Sequence, residues 1–199
     1  MAADVHNVFL NLPYHKDYER LFVAYIAGIA ALGLTPRTAL EVTSGARRLD
    51  RIWGLLLECR SSVHDLSYLR HDLPAPRTPR FNMPFELGLA CGLAQQTKGH
   101  EWFVFERQSY RVQKSLSDIN GTDPFIHHGT VKGVLAELNN AFLNARRQPS
   151  LAESFWIYTA VRKEAPNLLR QAGSTTVFAP RVFKWLAFRA RELAARIQA

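Results

Sequence analysis

A single acidic residue, Glu86, interrupts an otherwise apolar segment of this sequence. The segment from Met83 to Ala94 reads Met-Pro-Phe-Glu-Leu-Gly-Leu-Ala-Cys-Gly-Leu-Ala, and no other residue in it is charged at neutral pH. This pattern predicts a helix that is apolar on all sides, and such a helix is normally buried. Burying a carboxylate without partners costs free energy, so we expect a carboxylate kept at this position to have a function.

The predicted surroundings of Glu86 suit chemistry on a sugar. We expect Glu86 in the first turn of its helix, where the positive end of the helix dipole favours an anion. A rigid and partly desolvated carboxylate can stabilise or attack a sugar carbocation. Close packing that would hold it rigidly is expected at three small residues of the same helix, Gly88, Ala90 and Gly92.

A second carboxylate, Asp65, lies 21 residues before Glu86. Two carboxylates at one sheet edge can divide the roles of acid and base in glycosidic cleavage. Structural alternatives remain open for both. Asp65 could cap a turn with Ser67, whereas Glu86 could cap its own helix or pair with an arginine such as Arg47 or Arg80.

The histidines are not predicted to hold a metal ion. His64 alternates with Asp65 along a strand, so it should face the other side of the sheet and be structural. His127 and His128 fall in a long polar loop predicted over 107–129, without a nearby set of ligands.

The sequence also has no nucleophile elbow and no glycine-rich phosphate loop, so the standard dinucleotide fingerprint is missing.

Alternating strand and helix patterns predict the architecture that positions these residues. Short apolar runs indicate strands, and apolar residues spaced three and four apart indicate helices. Their alternation favours an α/β fold, namely a flavodoxin-like (Rossmann-like) parallel sheet of four to five strands flanked by helices, with a C-terminal helical extension. Strands are predicted at 8–12, 34–40, 62–66 and 101–105, and helices begin near 17, 44, 82 and 131.

The carboxyl ends of the strands should form the site, because ligands of open parallel sheets bind there. Helix starts face the same edge and bring Arg47 and Glu86 close to it. The residues that follow the first strand are Asn11, Pro13 and Tyr14, and those that follow the third are Asp65 and Ser67.

Charge divides the chain into two predicted parts, an α/β domain over 1–148 and a basic helical extension over 149–199. Residues 146–199 hold ten Lys and Arg against three Glu, within a total net charge of +8. The favoured interpretation is a solvated helical face. Contact of this extension with nucleic acid is the less favoured one.

The sequence predicts a cytoplasmic protein. It contains no apolar run long enough to span a bilayer and no secretory signal pattern at its start. Cys59 and Cys91 both lie in apolar helical contexts, which are typical of reduced, buried thiols rather than of a disulfide. No membrane contact is expected.

Three segments together resemble the nucleoside 2-deoxyribosyltransferase-like and TIR-like superfamily, over roughly residues 5–145. They are Val8-Phe-Leu-Asn-Leu-Pro-Tyr14, Asp65-Leu-Ser67 and Asn82-Met-Pro-Phe-Glu-Leu-Gly88. The resemblance implies a flavodoxin-like fold that cleaves the N-glycosidic bond of nucleosides, nucleotides or NAD. It implies Glu86 as nucleophile or stabiliser of the oxocarbenium ion and Asp65 as a holder of the sugar or leaving group. It places Asn11 and Tyr14 in the pocket, with Tyr18 as a further candidate, and Asn82 is expected to bind the substrate as well.

One departure from this resemblance bears on the substrate. Deoxyribosyltransferases carry an Asp in an Asp-Gly-Thr stretch six residues before the catalytic Glu, where this sequence has Arg80. An arginine suits a phosphorylated ligand, so the resemblance implies an N-glycosidase of NAD or a nucleotide, in the manner of a stress or defence effector. It implies self-association and no cofactor. The alternative is a non-catalytic nucleotide sensor.

Overall fold

Five parallel strands form the central sheet in a computed structural model, which describes residues 3–41, 47–68, 81–97 and 99–197. The strands are β1 (Asp4–Asn11), β2 (Thr35–Arg37), β3 (Cys59–Asp65), β4 (Glu101–Glu106) and β5 (Phe125–Ile126). Their order is β2-β1-β3-β4-β5, and each neighbouring pair is parallel. The predicted flavodoxin-like parallel sheet is confirmed. β2 lies at an edge, as expected of a strand that contains Pro36.

Helices cover both faces of the sheet. One face holds α1 (Glu19–Ala31), α5 (Val131–Ala141), α6 (Leu151–Ala172) and α7 (Pro180–Ile197), which share one apolar cluster with β1 and β3. The other face holds α2 (Arg48–Glu58) and α3 (Asn82–Gln96), which pack around Phe9 and Cys59. A short helix, α4 (Arg111–Ser115), follows β4.

The strand order places a topological switch point between β1 and β3. The chain leaves β1 toward β2 on one side and returns to β3 on the other, so the carboxyl ends of β1 and β3 border a crevice. Asn11 and His64 are paired at this edge. The residues that the sequence analysis singled out therefore flank the location where such sheets bind ligands.

The C-terminal helices pack on α1, which they cover on the side away from the sheet. Val161 of α6 and Phe183 of α7 are buried in the same apolar cluster as α1. Some cations of this basic region are paired, since Arg189 lies 2.9 Å from Glu164 and 2.7 Å from Glu192. The domain boundary at 148/149 and contact with nucleic acid stay predictions.

Two local differences from the sequence-based expectations affect the site. The segment 107–129, predicted as a loop, contains α4, a short 3-10 helix (Ser117–Ile119) and β5. β5 has only two residues, too few to show an alternating pattern. Asn82 is the first residue of α3 rather than its cap, so Glu86 lies in the second turn and not in the first.

The structure offers no candidate for a transmembrane helix: none of the described helices has the length and apolarity to cross a membrane.

Candidate active site

A cavity of about 160 Å³ opens at the carboxyl end of β1, between the segment that follows this strand and the first turns of α2 and α3. Glu86 lines it with a side chain that is 7% exposed. Four residues predicted as site residues line the cavity together with Glu86: Asn11, Pro13, Tyr14 and Asn82. The other lining residues are Leu12, His15, Arg48, Tyr68 and Met83.

The buried side of α3 aims Glu86 into this cavity. Leu87, Ala90 and Leu93 face the sheet and are buried. Asn11 donates a hydrogen bond from Nδ2 to the carbonyl of Met83 over 3.0 Å, which attaches the first turn of α3 to the end of β1. The carboxylate is therefore held by packing and by this bond.

The small residues of α3 do not all act as predicted. Ala90 is buried, but Gly88 and Gly92 lie on the exposed side of the helix. A Cβ added at either glycine would meet nothing within 4 Å in the described part of the chain. Close packing at these glycines therefore does not position Glu86, and the tether from Asn11 does.

Burial dominates the electrostatics of Glu86. It raises the pKa of this carboxyl from 4.5 to about 7, although the guanidinium of Arg48 acts in the opposite direction. Arg48 is weakly placed for that purpose, because its Nη2 lies 3.7 Å from Oε1 of Glu86 and its side chain is 57% exposed. The helix dipole contributes little in the second turn, since its effect falls off beyond the first. Glu86 therefore changes protonation state near neutral pH.

Tyr14 supplies a neutral hydroxyl beside Glu86. Its ring packs against Phe22 and Phe178, with centroids 6.1 and 5.5 Å away. Burial, and next the negative charge of Glu86, raise the pKa of Tyr14 far above its ordinary value. The phenol thus stays protonated and can donate a hydrogen bond to a ligand, but it is a poor source of a proton.

A chain of hydrogen bonds from two side chains of β3 holds Asn11 in place. Asn11 Nδ2 lies 3.0 Å from Nδ1 of His64, and Nε2 of His64 lies 3.0 Å from the hydroxyl of Ser62. Because the amide nitrogen can only donate, Nδ1 of His64 is the acceptor and Nε2 carries the proton. Burial lowers the pKa of His64 to about 3, so the ring is neutral. His64 faces the side of the sheet opposite to Asp65, as predicted, and it orients Asn11.

Asp65 lies in a separate buried cluster on the α1 side of the sheet. Its Oδ2 accepts hydrogen bonds from the hydroxyls of Tyr18 and Tyr25 and lies 3.1 Å from Nε2 of His127. Its Oδ1 accepts the backbone N–H of Ser67 at 2.9 Å. Burial acts to raise the pKa of Asp65, but the hydrogen bonds from His127, Ser67 and Tyr18 outweigh it and lower the pKa. Asp65 is a buried anion.

The structure thus separates the two carboxylates that the sequence placed at one edge. Asp65 is fully buried and its oxygens are occupied by four donors, so it does not line the cavity of Glu86. Side chains alternate along β3, and Asp65 faces α1 whereas Glu86 enters from α3 on the opposite face. This geometry argues against Asp65 as an acid that contacts a ligand there.

Asp65, Ser67 and His127 have the residue types of a hydrolase triad but not its geometry. Ser67 Oγ and Asp65 Oδ2 both approach the same imidazole nitrogen, Nε2, at 3.0 and 3.1 Å. A triad needs the serine and the carboxylate on opposite nitrogens. Nδ1 of His127 instead accepts the backbone N–H of Gly129 at 3.0 Å. Nucleophilic catalysis by Ser67 is therefore not supported.

A second cavity, of about 270 Å³, lies above this cluster and adjoins the first. The ring of Tyr68 lines both cavities and packs against that of His15, with 4.6 Å between their centroids. Ser67, predicted as a site residue, lines the second cavity and not the first. The other lining residues are Asp17, Tyr18, Arg20, Leu21, Arg107, His127 and Gly129.

Of the two predicted arginines, only Arg47 lies in the described part of the chain. Arg47 precedes the first residue of α2, makes no capping hydrogen bond with its side chain and does not line the cavity, whereas its neighbour Arg48 makes the ion pair with Glu86. Arg80 lies outside the described residues. Sequence reasoning missed Arg48, His15, Tyr68 and His127. Only Arg48, adjacent to the predicted Arg47 at the helix start, had a local signal that could have revealed it.

A third cavity, of about 310 Å³, lies at the amino edge of the sheet, next to Cys59 and His100. Arg60 is its charged lining residue. In parallel sheets this edge is not where ligands bind. Within the described ranges, no cluster of three or more His, Cys, Asp and Glu side chains could hold a metal ion.

Comparison of the whole chain with models of protein families, with curated proteins and with solved structures gave no match in any of the three.

Proposed function

We propose that this protein cleaves the N-ribosyl bond of NAD or of a nucleotide, and that Glu86 is the catalytic carboxylate. The observation that carries the proposal is a nearly buried carboxyl group that lines an open cavity at the switch point and has a pKa of about 7. A catalytic group with a pKa near the working pH can act in either protonation state. Strongly shifted groups in clefts are typical of functional sites.

The proposed reaction is a hydrolysis at the ribosyl carbon. The bond from C1′ to the base nitrogen breaks, and its electron pair leaves with the base. Ionised Glu86 stabilises the positive charge that develops on the ribose. A water molecule then adds to C1′ through its oxygen, and Glu86 takes up one of its protons. The products are the free base and a ribosyl group with a hydroxyl at C1′.

The composition of the cavity favours NAD over purine nucleotides. Glu86 is the one acid that lines this cavity among the residues that the structure describes. A pyridinium base such as nicotinamide leaves as a neutral molecule without being protonated, whereas a purine needs a proton donor. Tyr14, whose pKa is strongly raised, is a weak donor. A site with one accessible carboxylate therefore suits nicotinamide as the leaving group, whereas release of a purine would depend on the imidazole of His15 as the proton donor.

The test compares wild-type protein with Glu86→Gln in the release of free nicotinamide or base from NAD and from common nucleotides, measured by chromatography. We expect the substitution to lower kcat by about 100-fold or more, as is typical for the loss of an acid–base group. Glu101→Gln is the matched control, because Glu101 is an exposed glutamate at the start of β4. Equal release of base by wild type and Glu86→Gln would refute the role of Glu86.

A non-catalytic nucleotide sensor is the second candidate, and the ion pair between Arg48 and Glu86 supports it. A carboxylate that already faces a guanidinium can be a structural element of a binding pocket. Calorimetry that detects NAD or nucleotide binding without any turnover would favour the sensor. Self-association and a cytoplasmic location, both expected from the sequence, stay predictions for either candidate.

A further inference from the structure

Two exposed arginines, Arg20 and Arg107, line the second cavity, and both lie against Gly129. Arg20 donates from Nη2 to the carbonyl of Gly129 at 3.1 Å. The side chain of Arg107 runs over the same glycine, because a Cβ added to Gly129 would lie 2.5 Å from its Nε. Both guanidinium groups are thus held against one backbone segment at the mouth of the cavity.

These arginines have no carboxylate partner within ion-pair distance in the described part of the chain. The nearby carboxylate of Glu106 lies 3.5 Å from Nη1 of Arg111, which provides its countercharge. Asp17, the one described acid that lines the cavity, points into solvent and lies 3.5 Å from the ring of His15. Guanidinium groups in such a position bind phosphate with paired N–H donors.

The floor of the cavity adds a hydroxyl donor. Because Nδ1 of His127 accepts the N–H of Gly129, its proton lies on Nε2, which faces both Asp65 and Ser67. Ser67 Oγ therefore cannot donate to His127, and its own proton is available to a group in the cavity that Ser67 lines. The buried anion Asp65 fixes this arrangement by accepting from His127 and from the backbone of Ser67.

The two cavities together are large enough for one ligand that spans both. The cavity of Glu86 measures about 160 Å³ and the second cavity about 270 Å³. Each is smaller than roughly 300 Å³, the lower end of the volumes of small-molecule sites, and together they exceed it. They meet at Tyr68, so a ribosyl group beside Glu86 would place its next substituent toward Arg20 and Arg107.

We infer that the second cavity is a phosphate subsite, formed by Arg20, Arg107 and the hydroxyl of Ser67, which selects phosphorylated ribosides over free nucleosides. The identification of the ligand as a substrate rests on the proposed function, but phosphate binding itself does not. In this arrangement the 5′ phosphate lies in the second cavity and the N-ribosyl bond lies in the cavity of Glu86.

Calorimetric titration with inorganic phosphate tests the subsite directly. We expect Arg20→Gln and Arg107→Gln each to weaken phosphate binding about tenfold, the size expected for the loss of a charge-assisted hydrogen bond. Arg162→Gln, which removes the same charge from an exposed position on α6, is the matched control and should bind as wild type does. Ser67→Ala keeps every charge and should weaken binding by a smaller factor.

A second titration compares nicotinamide mononucleotide with the corresponding riboside in the Glu86→Gln background. The preference for the mononucleotide should fall about tenfold in each of the two cavity arginine variants. Wild-type phosphate affinity in both Arg20→Gln and Arg107→Gln would overturn the subsite. Arginine-dependent phosphate binding without any cleavage of NAD would support the subsite and refute only the proposed function. NAD cleavage with arginine-independent phosphate binding would refute only the subsite.

Discussion

Glu86 and Asp65 are both buried carboxyl groups, and their surroundings shift their pKa values in opposite directions. Glu86 has few hydrogen-bond donors nearby, so burial raises its pKa to about 7. Asp65 faces four donors, which lower its pKa despite complete burial. The number of donors around each group, and not its depth, therefore decides which one stays charged.

The raised pKa of Glu86 predicts a pH-dependent loss of stability. A carboxyl group with a pKa that is higher in the folded state stabilises the fold at low pH, and this contribution is lost as the pH rises from 4.5 to about 7. We therefore expect Glu86→Gln to gain stability relative to wild type over this window, by up to about 3 kcal/mol. Urea unfolding at pH 4, 6 and 8 measures this difference, and parallel pH curves would contradict it.

The same group predicts the pH dependence of activity. If ionised Glu86 is the reactive form, kcat/KM for NAD should rise with pH through an apparent pKa of about 7. Arg48 lowers that pKa, so Arg48→Gln should move the rise to higher pH. A pH–rate profile measures both effects, with Arg162→Gln as the charge-matched control. An unchanged profile in Arg48→Gln would argue against control of the reaction by Glu86.

Asp65→Asn tests the buried anion. An amide at this position would place its N–H group against the donors of Tyr18, Tyr25 and His127. We therefore expect the free energy of unfolding to fall by roughly 3–5 kcal/mol at pH 7. The loss should shrink in acid, because stability from a carboxyl with a lowered pKa disappears as the pH falls through that value. Asp17→Asn, at an exposed aspartate, is the control. Urea unfolding at two pH values measures both variants, and equal stabilities would contradict the prediction.

At the scale of elements, one side chain couples β1 to α3. Asn11 donates both to the carbonyl of Met83 and to His64, so the start of α3 is attached to the sheet next to Glu86. The exposed glycines of α3 make no contact that could replace this bond in the described structure. The position of Glu86 thus depends on a strand residue as well as on the buried residues of α3.

Asn11→Ala should therefore weaken both the fold and the site. The buried Nδ1 of His64 loses its donor and the carbonyl of Met83 loses its bond to the sheet, which costs roughly 1–3 kcal/mol of unfolding free energy. Asn7→Ala is the matched control, because Asn7 lies on the same strand, is only half-buried and makes a long hydrogen bond of 3.5 Å to the carbonyl of Glu58. Urea unfolding gives the stabilities, and hydrogen exchange in the first turn of α3 should increase only in Asn11→Ala. Unchanged exchange would show that the tether is dispensable.

At the scale of the whole molecule, the C-terminal helices belong to the core that holds α1. Phe183 of α7 is buried in the cluster that contains the α1 residues, whereas Phe188 on the same helix is 69% exposed. α1 in turn supplies Tyr25, whose hydroxyl donates a hydrogen bond to the buried Asp65. Removal of the basic region would thus expose the side of α1 that lies away from the sheet.

A matched pair of substitutions on α7 tests this dependence. Phe183→Ala should destabilise the whole protein by roughly 3–5 kcal/mol because it leaves a cavity in the shared core. Phe188→Ala should stay within about 0.5 kcal/mol of wild type. Urea unfolding followed by both fluorescence and circular dichroism should show one transition. Two transitions, with only the first shifted by Phe183→Ala, would show instead that residues 149–199 unfold independently.

The sequence by itself was sufficient to predict the class of the sheet and the burial of Glu86. Apolar residues three and four apart define α1, α2 and α5, and Pro36 identifies an edge strand, because these signals lie within a few residues of one another. The lone charge in an apolar helix likewise marks Glu86 as buried. By contrast, β5 has only two residues and depends on its pairing with β4.

Only the tertiary structure decided which side chains meet. Arg48 rather than Arg47 faces Glu86, because the exact start of α2 sets which residue points at the cavity. Asp65 and His127 are 62 positions apart and come together through the pairing of β3 with β4 and of β4 with β5. Contacts of this kind depend on strand register and on the face from which a side chain projects, and neither is encoded in the local spacing of residues.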